Sequence, residues 1–94
     1  MANPICRRYL ISGRVQGVGY RYFAARAAAH VGVRGWTRNL PDGRVEVWAA
    51  GEESQLDELE ARLRKGPPLA SVRTVQVENE AGAADVKIEG FHIR

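Results

Sequence analysis

Apolar residues recur along this chain with two periods that alternate from segment to segment. Over residues 7–15, Tyr9, Ile11, Gly13 and Val15 fall on one side of an extended backbone, with Arg8, Leu10, Ser12 and Arg14 on the other. That is the period of a strand. From about residue 20 to residue 30 the spacing becomes four, and Phe23, Ala27 and Val31 form one stripe of an alanine-rich helix that Gly32 would end. Residues 33–40 and 44–50 return to short strand-like runs. Pro41, Asp42 and Gly43 separate them; proline presets a turn and glycine takes positive φ, so the pair reads as a hairpin. Within its second strand, Val45, Val47 and Ala49 give an apolar side, and Arg44, Glu46 and Trp48 a mixed one. After Gly51, a second helix carries Leu56, Leu59 and Leu63 on one face, with Glu58 facing Arg62 and Glu60 facing Arg64 four residues on. Gly66, Pro67 and Pro68 end it. Residues 72–78, with Val75 and Val77 in alternation, make a further strand, and Phe91 with Ile93 makes a short last one after a turn at residues 81–84.

The order strand, helix, strand, strand, helix, strand builds two βαβ halves. With right-handed crossovers these close into an α+β ferredoxin-like sandwich, an antiparallel sheet with both helices on one face. Ninety-four residues suffice for a single domain spanning 1–94. With 45% hydrophobic and 27% charged residues, wholesale disorder is excluded.

Fourteen basic residues against eleven acidic ones leave a net charge of +3. That surplus suits a small anion and is thin for sustained contact with nucleic acid. The lone cysteine, Cys6, excludes an internal disulfide or a thiolate cluster for zinc and reads as a small buried hydrophobe of the first strand. Arg7 and Arg8 interrupt the N-terminal region before Leu10 and Ile11, leaving no apolar run fit for a signal peptide, and no later stretch approaches a membrane span. The expected location is the cytoplasm. His30 and His92 have no second ligand or nucleophile at a useful spacing, and Asp57, Glu58 and Glu60 read as the solvated face of the second helix. No Ser, His and Asp constellation suggests an acyl-enzyme.

Chemistry concentrates between the first strand and the first helix, where the chain reads Gly13, Arg14, Val15, Gln16, Gly17, Val18, Gly19, Tyr20, Arg21. Glycines allow successive backbone N–H groups to converge, a helix start adds partial positive charge, and arginine adds a fork of donors. Such a loop cradles an anion, a phosphoryl group above all. It lacks the Gly-Lys-Ser/Thr ending of a Walker A loop, and its glycine spacing fails the dinucleotide fingerprint. The plainer alternative is a tight turn whose glycines only relieve strain. Arg21 weighs against that, because a cation in the first helical turn opposes the helix dipole unless an anion sits between them. A second candidate is Asn39, just before the Pro41-Asp42-Gly43 turn. Strand parity groups it with Thr37 and Val33, away from Trp36 and Arg38. It either caps the turn locally or reaches the end of the covered sheet face, near the glycine loop.

Together these stretches resemble a known family. Residues 13–21 look like the first signature of the acylphosphatases, and Gly35-Trp36-Thr37-Arg38-Asn39, followed by Gly43, Val45 and Gly51, looks like the second. The likeness extends over nearly the whole chain, to the ending Gly90-Phe91-His92-Ile93-Arg94. Thr37 departs from the pattern, standing where a small apolar residue is commoner. The resemblance implies hydrolysis of the carboxyl-phosphate bond of acyl phosphates, giving a carboxylate and inorganic phosphate without metal, cofactor or phosphorylated intermediate. It also implies roles for particular residues. Arg21 and the backbone N–H groups of Gln16, Gly17, Val18, Gly19 and Tyr20 would bind the phosphoryl group, and Asn39 would hold the attacking water. The expected partners are the acyl phosphate and inorganic phosphate, with no nucleic acid and no membrane, and the expected state is a monomer. No residue identifiable in the sequence grips the acyl part.

Two other readings compete. Trp36 and Trp48, near Arg34, Arg38 and Arg44, could offer a sheet face for stacking RNA bases, although the aromatic-rich RNA-binding signature is absent. Alternatively, the chain is a degenerate phosphate sensor or the detached acylphosphatase-like domain of a larger protein such as a hydrogenase-maturation carbamoyltransferase.

Overall fold

The computed structural model describes residues 4–80 and 87–94, so the turn expected at 81–84 lies outside the described residues. Strand β1 (Ile5–Arg14) leads through the glycine loop into α1 (Tyr20–Val31). The hairpin β2 (Arg34–Asn39) and β3 (Val45–Gly51) follows, then α2 (Glu53–Lys65), β4 (Ser71–Glu80) and β5 (Phe91–Ile93). The sheet runs β4-β1-β3-β2-β5. The first four strands pair antiparallel, as the ferredoxin-like arrangement requires. β5 instead lies parallel to β2, with Gly35 opposite Phe91 and Thr37 opposite Ile93, so the sheet is mixed at that edge.

Alternation decides which side of each strand is covered. Tyr9, Ile11 and Val15 face the core with Val45, Val47 and Ala49, and the helices close over them through Leu56, Leu59 and Leu63 of α2 and Tyr20, Ala24, Ala27 and Ala28 of α1. The three leucines are wholly buried. Each contributes about 2 kcal/mol of transfer free energy. In α1 the buried stripe is offset from the one the spacing suggests: Tyr20, Ala24, Ala27 and Ala28 are buried, while Phe23 and Val31 sit half-buried at its margin. The shift follows from Tyr20, whose ring is drawn inward at the first helical position and rotates the face.

Two tyrosines fasten the helical layer. Tyr9 Oη donates to the Leu56 carbonyl at 2.9 Å, and Tyr20 Oη donates to the Leu63 carbonyl at 2.7 Å. Leu63 lies in the last turn of α2, where carbonyls lack a partner within the helix, so the Tyr20 hydroxyl caps α2 from α1. Burial pushes the Tyr9 phenol up to about 12 and the Tyr20 phenol further, keeping both as donors.

Neither described helix covers the other side of the sheet, and long side chains lie over it instead. Glu46 has no exposed surface there; Arg38 Nε donates to its Oε1 at 2.5 Å and the Arg8 guanidinium to its Oε2. Cys6 is buried on the same side with Ala50, against Trp48.

Candidate active site

The glycine loop takes its shape from backbone conformations that other residues avoid. Gly17 and Gly19 have φ of 75° and 80°, and a Cβ built on either would meet nothing within 4 Å. Conformation rather than space therefore requires glycine. Gly19 is the N-cap of α1 and offers no side-chain cap, and no acidic residue occupies the first turn. The first helical hydrogen bond is Phe23 N–H to the Gly19 carbonyl. Among the described residues, the N–H groups of Gln16, Gly17, Val18, Gly19 and Tyr20 make no hydrogen bond. Unpartnered amides at an uncapped helix start are the kind of feature at which anions bind.

Gln16 does more than supply an amide. Its Nε2 donates to the carbonyls of Leu40 and Arg44, at 2.8 and 2.9 Å, across the mouth of the β2–β3 turn. The side chain thus ties the loop to the segment that begins one residue after Asn39.

Gly17, Gly19, Tyr20, Arg21 and Asn39 line one cavity of about 110 Å³, together with Val15, Tyr22 and Ile93. The fold brings the two separate candidates together because β1 and β2 flank β3 and both point their loop-proximal ends toward the start of α1. Asn39 is the last residue of β2, on the same strand side as buried Thr37. Its Oδ1 is buried and has no hydrogen-bond partner among the described residues. A buried acceptor without a donor is costly, and it marks this end of β2 as a place where polar groups are incompletely satisfied.

Arg21 is half-buried, and its Nη1 donates to the Arg94 carbonyl at 3.0 Å. Arg94 is itself held by its N–H to the Thr37 carbonyl at 2.8 Å. The guanidinium is thereby fixed by one donor while the rest of its fork stays available. Thr37, the residue that departs from the signature, sends its hydroxyl to the Glu46 carbonyl at 2.9 Å, so only its main chain takes part in this arrangement. Sequence reasoning missed Tyr22, Ile93 and the Arg94 main chain. Ile93 and Arg94 reach the site through the parallel pairing of β5 with β2, for which a three-residue strand carries no sequence signal.

The uncovered sheet side is less suited to nucleic acid than its composition suggests. Arg38 and Arg94 stack over Trp36, with guanidinium carbons 5.4 and 4.5 Å from the ring centroid. Arg8 is paired with Glu46 and lies 3.8 and 4.0 Å from Glu78 and Glu80. The Trp36 ring is occupied by the protein's own arginines, and acidic neighbours offset Arg8 and Arg38. No group of three or more His, Cys, Asp or Glu side chains that could hold a metal ion occurs among the described residues. None of their helices is long and apolar enough to cross a membrane.

Comparison with known proteins gives a consistent result. Residues 7–93 match the family model described as Acylphosphatase. The chain is 52% identical over 81 residues to an acylphosphatase of Acaryochloris marina, covering 86% of this chain and 87% of that one. Among solved structures, it is similar to the acylphosphatase from Bacillus subtilis, with a TM-score of 0.89, 33% identity and coverage of 96% and 98%. It is also similar to an acylphosphatase from Coxiella burnetii, with a TM-score of 0.83, 34% identity and coverage of 98% and 94%.

Proposed function

The chain belongs to the acylphosphatase family, and we propose that it hydrolyses acyl phosphates by in-line attack of a water molecule on phosphorus, without a metal ion. Its activity is that of an acylphosphatase. What is inferred is how these residues perform it.

A carboxyl-phosphate anhydride is already activated, so the enzyme's task is positioning and charge stabilisation rather than the making of a strong base. The N–H groups from Gln16 to Tyr20 and the Arg21 guanidinium would hold the phosphoryl oxygens. At an effective dielectric near 20, one charge pair about 4 Å apart is worth on the order of 4 kcal/mol. The Asn39 side-chain amide would hydrogen-bond the attacking water and aim it at phosphorus, and a substrate oxygen would take the proton. The carboxylate leaves with the electrons of the broken P–O bond. The observation that carries this reading is the single cavity lined by Gly17, Gly19, Arg21 and Asn39.

We read residues 1–94 as one domain that works as a monomer. The single buried thiol of Cys6 suits a reducing compartment, and we place the enzyme in the cytoplasm.

Hydrolysis of benzoyl phosphate by the purified chain after exhaustive chelation tests the proposal. Activity is expected to persist undiminished. Arg21→Ala is expected to lower kcat/KM about a thousandfold, the equivalent of one lost charge pair, and full activity in that variant would overturn its assignment.

A further inference from the structure

Nothing described so far grips the acyl half of the substrate. A second cavity, of about 720 Å³, adjoins the first, and Gly19 and Tyr22 line both. It runs beside α1 past Phe23 and Arg26 to Arg62 of α2 and Pro67 beyond it. Tyr22 stands 73% exposed at the junction, a large aromatic surface left in water.

The two arginines differ from five of the other ten in the protein. Arg7, Arg8, Arg38, Arg44 and Arg64 each pair with a carboxylate. Among the described residues, the side chains of Arg26 and Arg62 have no ion-pair or hydrogen-bond partner, although both line the groove. Arg62 is half-buried, and although Glu58 lies on the same helix face, the ion pair that their spacing suggests is not among those formed by the described residues. Arg26 lies seven residues beyond Gly19 along α1, about 10 Å at 1.5 Å per residue. An acyl group leaving the phosphate cavity at Gly19 therefore meets aromatic rings first and two guanidinium groups afterwards.

We infer that this groove is the acyl subsite and that it selects acyl phosphates whose acyl group carries a second anionic group, set about one aromatic ring's length from the anhydride. The inference rests on the acyl phosphate reading of the adjoining cavity. Tyr22 and Phe23 would pack against the spacer, and Arg26 and Arg62 would take the distal anion.

The test compares kcat/KM for 4-carboxybenzoyl phosphate and 4-carbamoylbenzoyl phosphate, which have the same shape and differ in charge, with benzoyl phosphate as reference. Ratios are normalised to uncatalysed hydrolysis. Wild-type protein is expected to favour the carboxylate by at least about fivefold, the upper range for one exposed ion pair. Arg26→Ala and Arg62→Ala should each shrink that preference, Arg26→Lys should keep most of it, and raised salt should erode it. Equal use of the two substrates by the wild type, or a preference that survives both alanine substitutions, would overturn the inference. If benzoyl phosphate is still cleaved in that case, the reading of the phosphate cavity stands. Failure to cleave any of the three compounds would overturn both.

Discussion

Among individual residues, Asn39 carries the largest claim, because it lines the same cavity as Gly17, Gly19 and Arg21 from a different strand. Asn39→Ala is expected to lower kcat about a hundredfold or more while leaving KM within a few-fold, since it positions water and not substrate; steady-state kinetics with benzoyl phosphate reads the split. Gln16 makes a different prediction. Its amide donates to two carbonyls, and glutamate would turn a carboxylate toward both. Gln16→Glu should cost about 1–3 kcal/mol in urea unfolding and lower activity through the displaced loop. Both residues are legible in the sequence, but unequally. Asn39 stands in a recognisable signature at a strand end, whereas the Gln16 side chain finds its acceptors 24 and 28 residues away, across a turn whose place is set only by tertiary structure.

At the scale of elements, the loop and the uncovered side of the sheet respond differently to change. Alanine at Gly17 or Gly19 meets open space, so it should cost only about 1–2 kcal/mol of backbone strain. It should remove a larger share of activity, because relief of that strain turns the amides away from the cavity. On the sheet, burial pushes the Glu46 carboxyl up, but hydrogen bonds from Arg38 and Arg8 together outweigh it and hold the group below its ordinary 4.5. As pH falls below about 4.5, the unfolded chain takes up a proton that the folded one refuses, so stability is lost progressively on acidification. Denaturant unfolding between pH 6 and pH 3 should show this loss, and Glu46→Gln should flatten it. The alternating pattern correctly assigns β3 a mixed outward side, yet periodicity cannot say that one carboxylate there is sealed beneath two arginines. The same limit explains the offset stripe of α1, where Tyr20 outweighs the Phe23, Ala27, Val31 spacing.

For the whole molecule, element order was enough to identify the ferredoxin-like architecture, because right-handed crossovers leave few alternatives for six alternating segments. The parallel edge strand was not legible, since Phe91–Ile93 is too short for periodicity to orient it. It nevertheless reaches the candidate site: Ile93 lines the cavity shared by Arg21 and Asn39, and the Arg94 carbonyl accepts from Arg21. The acyl groove was illegible for a related reason, being assembled from α1 and α2, which meet only when both pack on the sheet. The central claim is that water, aligned by Asn39, attacks phosphorus held by the loop and Arg21. Hydrolysis of benzoyl phosphate in water enriched in oxygen-18 tests it most directly. The label should enter inorganic phosphate and leave benzoate unlabelled, because the P–O bond breaks; label found in benzoate would mean attack at the carbonyl carbon and would contradict the account.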